Sequence, residues 1–145
     1  MITKYFDEIE IGETIVSRGR TLTETDVVLF CMFTGNWFQL HSDVEYVKKT
    51  KWGERLVQGT LVFAIAHGLL PTIEPGTVIA FYGVDKLRFL SPVKIGDTVH
   101  VERTVIEKEE KGSDGGVVTL EFKVKNQRDE VVQISHQKLL VSKKK

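Results

Sequence analysis

The stretch TGNWFQLHSD, residues 34–43, places His41 five residues after Asn36 on a segment that reads as a loop. An imidazole, with an ordinary pKa near ~6.5, can take up or return a proton at neutral pH. An amide cannot accept a proton, but its oxygen can orient a water and its NH2 can donate to one. The pair suits chemistry in which one imidazole moves protons while an amide holds a solvent molecule. A carboxylate would be the obvious partner, so the amide needs an explanation. No metal site is expected: His67, His100 and His136 stand apart, no two histidines are spaced i, i+4, and Cys31 is alone. That thiol sits inside VVLFCMF, where apolar neighbours make it core filler rather than a nucleophile.

The elements that must position these groups are bounded by bulk properties. A length of 145 residues is that of one ordinary domain, and one domain over residues 1–145 is expected. Twenty basic side chains balance twenty acidic ones, which gives no net pull on nucleic acid. The C-terminal KKK reads as a solubilising end. A lone cysteine argues against a disulfide framework and fits a reducing cytoplasm. No apolar run approaches the ~20 residues a membrane span needs. The start, MITKYFDEIEIGE, lacks a basic stretch followed by an apolar one, so no export signal is expected.

The second half of the chain reads as strands. In VVTLEFKVK, Val118, Leu120, Phe122 and Val124 alternate with Thr119, Glu121, Lys123 and Lys125, the period of a half-buried antiparallel strand. Turn signals at 95–97, 111–116 and 126–130 delimit four strands, near 77–90, 97–109, 116–126 and 130–142. Such short connections suit hairpins. Upstream, ETIVSRGRTL predicts a first strand. Thr23, with Glu24 and Asp26 behind it, predicts a helix start. Ser42 and Glu45 have capping-box spacing, which predicts a short helix through EYVKK. TLVFAIAHGLL, residues 60–70, predicts a helix ended by Pro71 and apolar nearly all round. Such a helix must be covered on most sides, and the sheet is the material available. The expected fold class is therefore α+β: a single hot-dog domain, a curved antiparallel sheet wrapped around a long central helix.

Four segments carry a family resemblance: RTLTETDVVLF, TGNWFQLHSDVEY, ERLVQGTLVFAIAHGLL and LRFLSPVKIGD. In that order they resemble the MaoC-like dehydratase family, which includes the (R)-specific enoyl-CoA hydratases, over about residues 5–142. The family's loop reads Gly-Asp, two or three residues, an apolar residue and His, and its Asp and His together hold one water. The resemblance implies that His41 is the catalytic histidine and that Asn36 stands where most relatives carry the Asp. It also implies that the backbone N–H of Gly59, at the start of the central helix, is the oxyanion donor. Physical chemistry agrees, since free N–H groups and the positive dipole end meet there and glycine blocks nothing. Phe38 and Gln39 replace a frequent Asn-Pro, which puts the loop's shape in doubt but not its position.

Hydrating an α,β-unsaturated thioester needs a base for the attacking water, an acid for the α-carbon and donors for the enolate-like oxygen. Three readings of Asn36 stay open. Either His41 is the sole acid and base and Asn36 positions the water, or Asp43 replaces the missing carboxylate, or the site binds acyl thioesters without hydrating them. Asp43 falls in a first helical turn, where the dipole already accounts for it. His67, near a position where many relatives carry a hydroxyl, is either a change coupled to Asn36 or a satisfied core histidine. Trp37 and Phe38, with Trp52, either line an acyl tunnel or pack the loop. Lys48, Lys49, Lys51, Arg55, Lys86 and Arg88 offer a cradle for coenzyme A phosphates or are simply solvated; there is no Gly-rich phosphate loop.

The reading taken forward is an acyl-CoA hydratase/dehydratase without a cofactor, acting on a CoA or acyl carrier protein thioester, possible substrates including short, branched or dicarboxylic acyl groups. A homodimer is expected, because VIAFYGVDKLRFL is apolar on both faces at its start and one helix cannot cover it. The rivals are a non-catalytic acyl-binding subunit of a hetero-oligomeric dehydratase and a thioesterase. The latter lacks an acidic residue at the start of the central helix.

Overall fold

Thr23 opens the first helix by a reciprocal cap. Its hydroxyl accepts from the Asp26 N–H, and the Asp26 carboxylate accepts from the Thr23 N–H at 2.8 Å. This satisfies two amides that would otherwise be orphaned. Helix α1 then runs Glu24–Thr34 in a computed structural model that describes residues 4–70 and 77–145. It buries Val27 and Cys31 and ends at Gly35, whose φ of 72° is left-handed and favours glycine. The loop carrying Asn36 therefore leaves α1 in a fixed direction.

Two single-turn helices follow, α2 (Gln39–Ser42) and α3 (Val44–Val47). The cap expected from Ser42 is made by Asp43 instead, whose carboxylate accepts from the Tyr46 N–H at 2.9 Å. Ser42 is occupied elsewhere: it ends α2, and its hydroxyl donates to the Trp37 carbonyl at 2.9 Å and the Phe38 carbonyl at 3.2 Å. Both serine and aspartate cap well, so spacing alone could not choose between them. The capping role of Asp43 also accounts for its carboxylate without catalysis.

The central helix α4 spans Gly59–Leu69, one residue ahead of expectation; Pro71 lies outside the described residues. Leu61, Val62, Ile65, Ala66 and Leu69 are buried against the sheet, while Thr60, Ala64 and Gly68 form an open stripe. That stripe carries small side chains, so little apolar area is left uncovered.

Strands β3 (Val78–Phe89), β4 (Thr98–Glu110), β5 (Gly115–Lys125) and β6 (Val131–Ser142) match the expected four within two residues at each end. The single first strand is replaced by two short ones, β1 (Thr14–Val16) and β2 (Arg20–Thr21). Both pair with β4, with the register slipping by one residue between them around Gly19. The sheet is antiparallel in the order β1-β4-β5-β6-β3, with β2 also on β4. Register shifts within β3, β4 and β5 bend it around α4. Val118, Leu120, Phe122 and Val124 face the core as the alternation requires. On β6 the inward row is partly polar, with Gln133, Ser135 and Gln137 all buried. This is the α+β hot-dog arrangement. Among the described residues no helix is long and apolar enough to cross a membrane.

The Asp26 cap is also a charge device. Burial raises this carboxyl's pKa; bonds from the Thr23 N–H and hydroxyl, together with the Arg20 guanidinium, outweigh it and hold the pKa below the ordinary value. A depressed folded-state pKa stabilises the fold above the unfolded value, near ~3.9, and loses that contribution as pH falls further. Asp26→Asn is expected to cost about 1 kcal/mol at neutral pH, with the difference vanishing at acid pH. Urea denaturation of both proteins across pH 2–7 measures it.

Candidate active site

The site begins with a clasp between α2 and the segment that leads into α4. The Leu56 N–H donates to the Leu40 carbonyl at 3.1 Å, and the Leu56 carbonyl lies 2.8 Å from Nδ1 of His41. A carbonyl oxygen only accepts, so Nδ1 carries the hydrogen and Nε2 of the neutral ring presents a lone pair. Phe38 sits edge-on to the imidazole, with ring centroids 5.9 Å apart. The ring is thus fixed in tautomer by Leu56 and in plane by Phe38.

Asn36 is placed by a turn of its own. Its N–H donates to the Thr34 hydroxyl at 3.2 Å, and its Oδ1 accepts from the Phe38 N–H at 3.3 Å. Because the Phe38 N–H can only donate, the amide orientation follows, and Nδ2 remains as the donor. Asn36 and His41 both line a cavity of about 240 Å³, as does Gly59. These three residues, from the loop, α2 and the start of α4, thus share the lining of one cavity. Val57, Val62, Val93 and Val132 supply an apolar lining.

Gly59 is the first residue of α4, and among the described residues nothing accepts from its N–H. Such amides at a helix N-terminus carry partial positive charge and suit a developing oxyanion. A side chain cannot be tolerated there without movement, because an added Cβ would lie 2.6 Å from the Phe89 ring. Two further wall residues had not been singled out. Gln58 is 1% exposed; its Nε2 donates to Cys31 Sγ at 3.1 Å and its buried Oε1 has no partner among the described residues. Gln133 is 2% exposed and its Nε2 donates to the Gly59 carbonyl at 3.1 Å. A polar residue on the inward face of an alternating strand was the available signal for Gln133.

Other candidates lie off the cavity wall. His67 donates from Nδ1 to the Phe63 carbonyl at 2.8 Å and stacks on Phe122, the environment of a satisfied core histidine. Trp37 is half exposed and Phe38 acts on His41 rather than on the cavity. Trp52 carries Lys51 over its ring. Lys48 pairs with Glu45 and Arg55 with Glu24, so these cations are already engaged with carboxylates. His100 lies 4.0 Å from Asp129, and His136 lies 3.5 Å from Glu121 on the strand beside it; neither lines the cavity.

Known proteins resemble this chain in sequence and in fold. The family described as MaoC like domain matches residues 8–127. Protein MaoC of Klebsiella aerogenes is 41% identical over 105 residues, which are 72% of this chain but 31% of that protein. An (R)-specific enoyl-CoA hydratase of Rhodospirillum rubrum is 32% identical over 105 residues, 72% of each chain. Among solved structures, an Archaeoglobus protein described as a monoamine oxidase regulatory protein superposes with a TM-score of 0.94 at 42% identity. That match covers 99% of this chain and 97% of the other.

The contact between Gly59 and Phe89 can be read energetically. Gly59→Ala is expected to displace the ring and cost roughly 1–3 kcal/mol. In a Phe89→Ala background the cost should shrink by about 0.5 kcal/mol or more. Strict additivity in a urea-denaturation cycle would show that the ring does not press on the helix entry.

Proposed function

The chain belongs to the MaoC-like domain family, whose members are hydratases and dehydratases of acyl thioesters, and from that premise we propose that it hydrates 2-enoyl thioesters reversibly. The observation that supports this reading is that His41, Asn36 and Gly59 line one cavity. Water would accept a hydrogen bond from Asn36 Nδ2 and donate one to His41 Nε2, so the two groups are complementary rather than redundant. As Nε2 takes the proton, the water oxygen bonds to the β-carbon, the alkene electron pair shifts into the bond between the α-carbon and the carbonyl carbon, and the carbonyl π pair moves onto the carbonyl oxygen. The Gly59 N–H and the helix dipole stabilise that oxyanion. The imidazolium then returns its proton to the α-carbon, which restores the carbonyl. One imidazole serving both steps delivers oxygen and hydrogen to the same face, a syn addition. Dehydration is the same path reversed.

The cavity is smaller than the ~300–1,000 Å³ of ordinary ligand pockets. It suits a short acyl group, carried by coenzyme A or acyl carrier protein. A buried lone thiol, Cys31, fits a reducing cytoplasm as its compartment.

A second subunit belongs to this reading. β3 ends the described sheet, twelve residues long, with Ile79, Phe81, Tyr82 and Phe89, and Leu90 just beyond it, at least half exposed. A long apolar edge left open is a site for pairing, and a two-fold homodimer covers it.

The test is hydration of crotonyl-CoA and branched analogues, followed by loss of enoyl-thioester absorbance. His41→Ala should lower kcat/KM by roughly 10²–10⁴. Asn36→Asp should keep turnover, since its carboxylate can cap Phe38 as the amide oxygen does. Thioester binding without turnover by the unsubstituted protein would favour the acyl-binding subunit instead. For assembly, a Phe81→Glu, Tyr82→Lys double variant should sediment as a monomer where the parent chain sediments as a dimer.

A further inference from the structure

Gly59 is an unusual place to keep a catalytic amide in register. Glycine is the least restricted residue, and the first residue of a helix has no preceding turn to hold it. The structure surrounds it with restraints from three other elements. Val57 N–H donates to the Val93 carbonyl at 2.8 Å and fixes the approach. Gln58, ahead of Gly59, is anchored to α1 through Cys31. Behind Gly59, Gln133 reaches from β6 to the Gly59 carbonyl at 3.1 Å.

The Gln133 contact differs from the others in kind. It crosses 74 residues of sequence and comes from an almost fully buried side chain that also lines the cavity. Its neighbours across the sheet are Val124 on β5 and Phe89 on β3. An amide in this row carries a desolvation cost that an apolar residue would avoid. The hydrogen bond it makes offsets that cost, and it falls on the peptide that follows the proposed oxyanion donor. With the carbonyl on one side of the Gly59 Cα clamped, rotation about Gly59 is restricted, and so is the direction of its N–H.

We propose that Gln133 is a positioning residue for the oxyanion donor: by holding the Gly59 carbonyl, it aims the Gly59 N–H at the thioester oxygen. It does not touch the reacting atoms. Its effect therefore falls on transition-state stabilisation rather than on substrate capture, because the oxygen gains charge only as water adds. This inference rests on the hydratase reading of the cavity.

Gln133→Met keeps the length and bulk of the side chain and removes its donor. Expected is a fall in kcat of roughly 10- to 100-fold with KM changed much less, the scale of a misaimed catalytic group. A second readout is independent of turnover. When the chromophoric hexadienoyl-CoA binds, polarisation of its carbonyl shifts its absorbance to the red, and that shift should shrink in the variant. A purely structural role would lower thermal stability without moving the shift. If the Met variant does not fold, Gln133→Leu, smaller and also without a donor, makes the same test. Unchanged kcat and an unchanged red shift in a folded variant overturn the proposal while leaving the hydratase reading intact, provided that His41→Ala is inactive. Failure of the unsubstituted protein to hydrate any enoyl-CoA overturns that reading, and this inference with it.

Discussion

The hydrogen bond from His41 Nδ1 to the Leu56 carbonyl is the contact on which the rest of the site depends. It decides the tautomer, and with it which nitrogen can act as a base. It also joins two stretches of backbone that carry the opposite halves of the proposed chemistry. Leu56 lies three residues before Gly59, at most ~11 Å of fully extended chain, so the base and the oxyanion donor are spaced by a short rigid segment. That segment is bonded at Leu56 to Leu40, bridged there to Lys94, and bonded again at Val57 to Val93. The cavity lies where these connections meet. A backbone carbonyl, unlike a side-chain orienter, cannot change its charge, so the imidazole's partner is the same at every pH.

The amide at position 36 becomes intelligible in this setting. Its oxygen is committed to the Phe38 N–H, which leaves the NH2 as the free end. In the proposed reaction that donor and the imidazole lone pair would complete one water's bonding, one bond accepted and one given. A carboxylate could also take a proton, but it would bring a negative charge beside the oxygen that gains charge during the reaction. With Asn36 the described lining carries no carboxylate, so in the proposed reaction both proton transfers fall to His41. The cost is that no second base can assist.

Much of this was legible in residues alone, for identifiable reasons. The strand over 116–126 alternates cleanly and Gly-, Asp- and Asn-containing turns bound all four long strands, and both side-chain period and turn residues are local properties. The Thr23 cap was readable because its partner Asp26 lies three residues away. Asn36, His41 and Gly59 could be brought together only through resemblance, since nothing in their spacing shows that residues 36 and 59 meet. The Leu56 clasp was invisible because any residue type supplies a carbonyl. Gln133 was hidden by distance, its target being 74 residues away. The aromatic residues Trp37 and Phe38 had the right types for a tunnel, but direction is set by α2, and a single-turn helix leaves almost no sequence pattern. Ser42 and Asp43, two competent caps side by side, were separated only by which one the Trp37 and Phe38 carbonyls had already claimed.

The open strand and the cavity are not separate features. Phe89 stands on β3 with 54% of its surface exposed, yet its ring covers the entry of α4. In the homodimer proposed above, the surface that a second subunit covers includes the outer side of this ring. Packing there would remove solvent from the cavity wall to which Phe89 belongs, and a drier wall strengthens the interaction between an amide N–H and a developing oxyanion. Assembly would then contribute to chemistry without lending a catalytic group, through the one side chain shared by edge strand and helix entry. The small stripe Thr60, Ala64 and Gly68 continues from that same helix entry, so a neighbouring subunit can approach α4 closely without steric conflict.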